Sequence, residues 1–366
     1  MINECFLEII QKTIATGWPM GNVKISDVAK KAGVSTATVS RVLSGKTTVD
    51  PILRDRVLKA VEETGYKPDR VARSLRKRQS SIIGLIISDI QNPFFISLVR
   101  AVEDVAQKHG YIVMLGNADE DERKEREYIQ VMISERVAGV IVSPSREYND
   151  PCEDLVRAKI PLVLVDRRVP GLDVDTIVVN NTWAAQQLVM HLIEHGHSRI
   201  GAVLGTSIVA TGRERREGYV QALLQYGFPI IPNLIKVGPP PPSGANREDT
   251  GYRLTMELLN AKERPTALFT GTNLLTIGAL RAIQEKGLSI PEDIALVGFD
   301  DIDWMPVYNP SITVAAQPTY HIGRIAAEML IARIQGDESP AQEIVLQPEI
   351  KIRRSCGQHV SINCDK

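Results

Sequence analysis

The chain has 366 residues, of which 43% are hydrophobic and 24% charged, and a formal net charge of −1. Such a composition buries a sizeable core and suits two or three domains; it excludes a disordered chain and, with no run of 18 apolar residues, a helical membrane protein. The near-zero charge hides an asymmetry, because residues 23–78 carry 14 Lys or Arg against 6 Asp or Glu while the rest is acidic, which points to a nucleic-acid-binding arm on a body of another kind.

Cys5, Cys152, Cys356 and Cys364 form no C-x-x-C pair and are too sparse for a disulfide framework, so a reducing cytoplasm is expected. A basic start followed by an apolar stretch and a cleavage site is not found at the N-terminus, which argues against export. Within residues 1–22, Phe6, Ile9, Ile10 and Ile14 have helical spacing until TGWPMGN breaks it.

Residues 23–43, VKISDVAKKAGVSTATVSRVL, read as two short helices meeting at a tight turn. Ser26 is expected to cap the first, with Val28, Ala29 and Ala32 on its inner face and Gly33 ending it. Ser35 is expected to cap the second, where Val39, Val42 and Leu43 point inward and Thr36, Ala37 and Arg41 outward. The fork of an outward arginine matches guanine O6 and N7 in the DNA major groove. The same residues also fit a plain helical hairpin with Arg41 as a solvated charge. A third helix, capped by Asp50, opened by Pro51, lined by Leu53, Val57 and Val61 and stopped by Gly65, weighs against that reading. Beyond Pro68, Asp69 can cap a two-turn helix loaded with Arg70, Arg73, Arg76, Lys77 and Arg78, too short and too charged to be stable without a phosphate backbone beside it.

Residues 23–81 resemble the DNA-binding headpiece and hinge of the lactose-repressor (LacI) family of bacterial transcription regulators, and the remainder resembles that family's effector domain. The resemblance implies a hinge helix that folds on operator DNA and a leucine, Leu75 in VARSL, wedged into the minor groove at the dyad; such a wedge kinks the duplex. It places Ser35, Thr36, Ala37, Thr38, Arg41 and Arg73 with Leu75 on double-stranded operator DNA. It also makes residues 1–22 an extension, with Met20 expected as the native start; an intact native mass beginning at Met1 would sink that expectation.

From residue 81 strands and helices alternate, as in a parallel α/β sheet. Strands are expected at 82–88, 111–118, 139–143 and 162–166, with helices at 95–109 and 122–135, and one sheet would then be complete. A second cycle follows: helices at 182–195, 213–226, 249–260 and 274–286, and strands at 200–205, 267–270 and 294–300. The expected fold is therefore an N-terminal all-α helix-turn-helix headpiece (23–67) with a hinge helix and linker (68–80), then an α/β two-lobed periplasmic-binding-protein-like domain (81–366) for effector binding and dimerisation.

Ligands of such sheets sit beyond the carboxyl ends of the strands. There stand Asp89 through Phe95, Ser143, Asp166, Thr211 through Arg215, Thr272 with Asn273, and Asp300. The resemblance makes Asp166, Arg215 and Asp300 effector contacts and Phe94 with Phe95 the cleft-lining pair. Carboxylates, an arginine fork and an aromatic face suit a sugar or sugar phosphate. Each polar residue also has a structural reading: Asp300 as a turn cap, Arg215 as an ion-pair partner of Asp166. The resemblance disfavours a purine, since Val209 stands where the purine-responsive branch has an arginine two residues before Thr211. The proline-rich stretch 238–249 is either a cleft rim or a stiff surface connection.

His191, Glu194 and His195 spell the zinc motif H-x-x-E-H. Gly196 reads as the helix stop straight after it, and histidine at a helix C-terminus is favoured by the dipole alone, so no metal and no cofactor is expected. A sequence-specific, effector-responsive repressor of a carbohydrate operon follows, acting as a homodimer or tetramer, with the dimer favoured because the tail after Arg354 shows no coiled-coil pattern. The rivals are a solute-binding protein, which would need export and no basic headpiece, and an enzyme, which would need a nucleophile with paired acid and base.

Overall fold

A computed structural model of the chain describes residues 23–43, 49–66, 80–147, 151–239 and 247–357. The chain divides into two compact units, residues 1–79 and 80–366.

The first unit contains three helices among its described residues: α1 (Ile25–Ala32), α2 (Thr36–Leu43) and α3 (Pro51–Thr64). Ser26 does not cap α1. The helix starts two residues earlier than such a cap would set, at Ile25 after Lys24, and Asp27 accepts the Lys24 amide at 2.8 Å. Gly33, at φ 64°, ends α1 in the left-handed conformation that a side chain resists, and Val34 N donates back to Ala29 O. Ser35 caps α2 by accepting Thr38 N at 3.1 Å, and Asp50 caps α3 by accepting Ile52 N and Leu53 N. Val28, Ala29, Ala32, Val39, Val42, Val57 and Ala60 close a small core. The expected hinge helix, with Arg73 and Leu75, lies outside the described residues, as do residues 1–22.

The second unit has two sheets. In lobe 1 the strand order is β11-β5-β4-β3-β1-β2, from β1 (Ile82–Ile87), β2 (Ile112–Asn117), β3 (Val140–Val142), β4 (Leu162–Val165), β5 (Asp175–Val179) and β11 (Glu343–Leu346). Lobe 2 repeats it as β12-β10-β9-β8-β6-β7, from β6 (Ile200–Leu204), β7 (Ile235–Val237), β8 (Ala267–Thr270), β9 (Ala295–Phe299), β10 (Thr313–Ala316) and β12 (Glu349–Lys351). All neighbours pair in parallel except β10 with β12. The central strands are apolar throughout because helices cover both faces.

Lobe 1 carries α4 (Pro93–Lys108), α5 (Glu122–Ser134), α6 (Cys152–Arg157) and the late helix α11 (Thr319–Ile334). Lobe 2 carries α7 (Asn181–Glu194), α8 (Ala210–Gln225), α9 (Arg247–Leu259) and α10 (Asn273–Glu285). The lobe 1 sheet is not complete at Asp166, as the sequence suggested. It needs β5 and then β11, which returns from the far end of the chain to pair Glu343 through Leu346 with Thr176 through Val179. The chain thus passes between the lobes three times, from β5 to α7, from β10 to α11 and from β11 to β12.

Candidate functional site

On α2 the buried positions are Val39 and Val42, and Thr36, Ala37 and Arg41 face solvent on the opposite side. Ser35 and Thr38 are tied to one another at the cap, with their hydroxyls 3.0 Å apart.

In the second unit the carboxyl ends of the strands from both lobes face one cleft. Phe94, Phe95, Asp166, Thr211, Arg215 and Asp300 share its wall, and Val209 is beside them. Asp166 directly follows β4 and Asp300 directly follows β9, the corresponding strands of the two lobes. Both adopt left-handed backbone, φ 68° and 73°, while their amides donate to Ile177 O and Ala315 O of the next strand. Aspartate tolerates that sparsely populated region better than most residues do, and the two occur at equivalent points of the two lobes.

Burial raises the Asp166 carboxyl above the ordinary range, against the pull of Arg167 and Arg215. Asp300 accepts Gln317 Nε2 at 2.5 Å and the Asn273 amide, the first of α10, at 3.2 Å, so it is partly the helix-end cap that the sequence allowed. Arg215 makes no ion pair with Asp166 among the described residues. Its Nε donates to Asn181 Oδ1 at 3.0 Å, its Nη1 donates to Gly271 O at 2.6 Å, and its guanidinium lies 3.7 Å over the Phe299 ring. The fork is thereby fixed at the cleft wall. Burial lowers its pKa, and the nearby Asp300 and Asp166 work in the opposite direction. Phe94 and Phe95 meet edge to face, 4.9 Å between ring centroids.

Two expected residues stand behind the wall. Ser143 is buried, its hydroxyl 3.2 Å from that of Ser88. Asn273 reaches between lobes to donate Nδ2 to Asn92 Oδ1 at 2.9 Å. The sequence reading missed Glu120, Arg167, Arg247 and Gln317, all of which line the cleft. Glu120 takes both Arg167 Nη1 and Nη2, at 2.7 and 2.6 Å, and Arg247 Nη2 from the opposite lobe at 2.9 Å. Burial opposes ionisation of Glu120, but these guanidiniums outweigh it and hold its carboxyl below the usual range. Arg247, the first residue of α9, also lies 3.4 Å from Asp89, and Arg168 pairs with Glu214 across the lobes at 3.0 Å. Arg247 belongs to the proline-rich stretch suspected of rimming the cleft; residues 240–246 of that stretch are outside the described ones.

Residues 24–69 match the model for bacterial regulatory proteins of the lacI family, and residues 189–356 match a periplasmic binding protein-like domain. The chain is 34% identical to the HTH-type transcriptional repressor CytR of Escherichia coli K12 over 331 residues, 90% of this chain and 95% of that protein. The chain belongs to the lacI family. Among solved structures, this lacI-family chain matches the lac repressor dimer bound to operator and the anti-inducer ONPF with a TM-score of 0.81 at 26% identity, over 92% of this chain and 99% of that one. It matches a complex of the transcriptional regulator CelR with cellobiose at 0.68 and 29% identity, over 91% and 99%. These lacI-family relatives are transcription regulators, and no described helix of this member is long and apolar enough to cross a membrane.

Proposed function

We propose that the protein is a homodimeric, cytoplasmic transcription repressor whose operator affinity is set by a sugar held between the two lobes of its body. The observation that carries the ligand class is the pair of left-handed aspartates, Asp166 and Asp300, facing the fixed fork of Arg215 across one cleft. Carboxylates accept from ring hydroxyls, the arginine donates to them, and the Phe94–Phe95 pair supplies an apolar face. The buried Oε1 of Gln317 has no partner among the described residues, and a ligand hydroxyl would supply one. A neutral sugar fits better than a sugar phosphate, because Arg167 and Arg247 are already committed to Glu120. The CelR–cellobiose complex supports the same class.

On DNA, Thr36, Ala37 and Arg41 read base edges in each half-site, with Ser35 and Thr38 at the backbone. Arg73 adds phosphate contact and Leu75 opens the central step. A sugar that binds the open and closed arrangements of the lobes unequally changes the spacing of the two hinges of the dimer, and operator affinity must change by the same coupling. No catalysis is assigned.

The test is binding of the purified protein to its own upstream DNA at fixed salt, with neutral sugars, sugar phosphates and purines added in turn. Sequence-specific binding changed by a neutral sugar is the expected result. Binding without sequence preference, or specific binding altered by a purine alone, would overturn the reading.

A further inference from the structure

The histidines of H-x-x-E-H are joined by a residue that the sequence keeps 165 positions away from the first of them. His191 and His195 occupy the end of α7, and Cys356 follows β12 on the last described stretch of the chain. One ligand atom from each of the three lies within 4.8 Å of the other two; His191 and Cys356 are buried and His195 is 9% exposed. We infer that His191, His195 and Cys356 form a binding site for a thiophilic divalent ion, zinc by chemical class, that fastens the C-terminal segment of the chain to lobe 2.

The local geometry is that of a site held ready. His195 Nδ1 lies 2.7 Å from His191 O, the second-shell hydrogen bond that puts the ring proton on Nδ1 and makes Nε2 the basic nitrogen. His191 Nε2 lies 3.0 Å from Cys356 Sγ, so that ring aims a nitrogen at the sulfur. Neighbouring Ser355 fixes the cysteine's backbone: its Oγ donates to Leu296 O at 2.5 Å and accepts from Thr313 N at 2.8 Å. Thr313 Oγ1 stands 3.2 Å from the sulfur. Binding exchanges one proton for the ion: Cys356 loses its S–H proton to solvent as the sulfur–metal bond forms, and the two histidines coordinate as neutral rings. The nitrogen–sulfur pair must open by about 0.5 Å to span a tetrahedral ion with bonds of about 2.0 and 2.3 Å. Glu194, the motif's fourth member, points elsewhere and accepts Tyr226 OH at 2.9 Å. The site therefore lacks the glutamate that hydrolytic zinc motifs use as a base, and its three protein ligands leave the fourth position of a tetrahedral ion to a water.

Cobalt(II), then zinc(II), titrated into the reduced full-length protein is the test. Cobalt should give the intense visible bands of a tetrahedral ion and a sulfur charge-transfer band, both displaced by zinc. Cys356→Ser and His195→Gln should each weaken binding at least about tenfold, with circular dichroism confirming that the variants are folded, whereas Cys364→Ser should bind like the parent. X-ray absorption of the zinc-loaded parent should show one sulfur at about 2.3 Å and two imidazole nitrogens at about 2.0 Å, a readout that needs no variant. Absence of binding, a spectrum without sulfur, or a signal abolished by Cys364→Ser would overturn the site.

Discussion

Replacing Arg167 by methionine tests the electrostatic account of the cleft most directly. Arg167 and Glu120 are both under 10% exposed, joined by two hydrogen bonds of 2.6 and 2.7 Å, and Arg167 Nη1 also donates to Pro144 O at 2.9 Å. Methionine keeps much of the volume but leaves the buried Glu120 carboxylate with Arg247 alone and takes from Asp166 the guanidinium that lies 3.3 Å away; removing one partner of a buried pair costs about 3–5 kcal/mol. We expect a loss in the lower half of that range at pH 7, since Arg247 remains, measured as a shift in the urea midpoint without a change in slope. The pH dependence carries a sign. In the parent the Glu120 carboxyl is held down by the two guanidiniums, so its contribution is fully present above its unfolded pKa, about 4.3, and is lost as pH falls. With Arg167 gone, burial dominates and raises that carboxyl, so the variant loses stability as pH rises past the same value. The gap between the two proteins should be widest near neutrality and close toward pH 4. Adding Glu120→Gln to the variant should recover part of the loss, because it removes one stranded charge while Asp166 stays without its Arg167 partner. A single-variant loss under about 1 kcal/mol, or one independent of pH, would refute the reasoning.

Arg41→Ala should cost about 1–3 kcal/mol of specific operator binding and leave nonspecific binding nearly intact; equal weakening on all sequences in a salt-controlled gel shift would contradict base reading. Asp300→Ala should abolish the effector response while operator affinity without effector is kept, as read by fluorescence anisotropy of labelled DNA; a fully responsive variant would remove Asp300 from the effector contacts. Gly218 lies where α8 crosses α7, and a Cβ there would come within 2.1 Å of Thr182 O. Gly218→Ala should therefore force the helices apart and cost about 1–3 kcal/mol, and an unchanged melting temperature would show that the crossing is looser than described.

Sequence alone determined what depends on near neighbours. Capping residues such as Ser35 and Asp50 act within three positions, the apolar stripe of Val28, Ala29 and Ala32 follows from 3.6-residue periodicity, and the central strands are apolar runs readable without context. Strand ends could be read as well, which is why Asp166, Arg215 and Asp300 were found together with Phe94 and Phe95. Even locally there were errors: Ser26 looked like the cap, but Asp27 holds the Lys24 amide and α1 begins two residues sooner.

Tertiary structure decided whatever is assembled from distant segments. β11, EIVL, is too short to announce itself, alternates exposed and half-buried residues, and becomes a strand because β5 offers an edge to pair with. Glu120 and Arg247 stand 127 positions apart, and no periodicity announces a bond that forms only when the two lobes face each other. The left-handed backbone of Asp166 and Asp300 is imposed by the amide bonds each makes to the adjacent strand, a constraint that exists only once the sheet is formed. Cys356 joins two histidines of a motif that read as a plain helix end, because β12 folds back beside β10 and carries the sulfur to the end of α7. Local chemistry sets the elements, and the long-range pairing of strands sets which side chains meet.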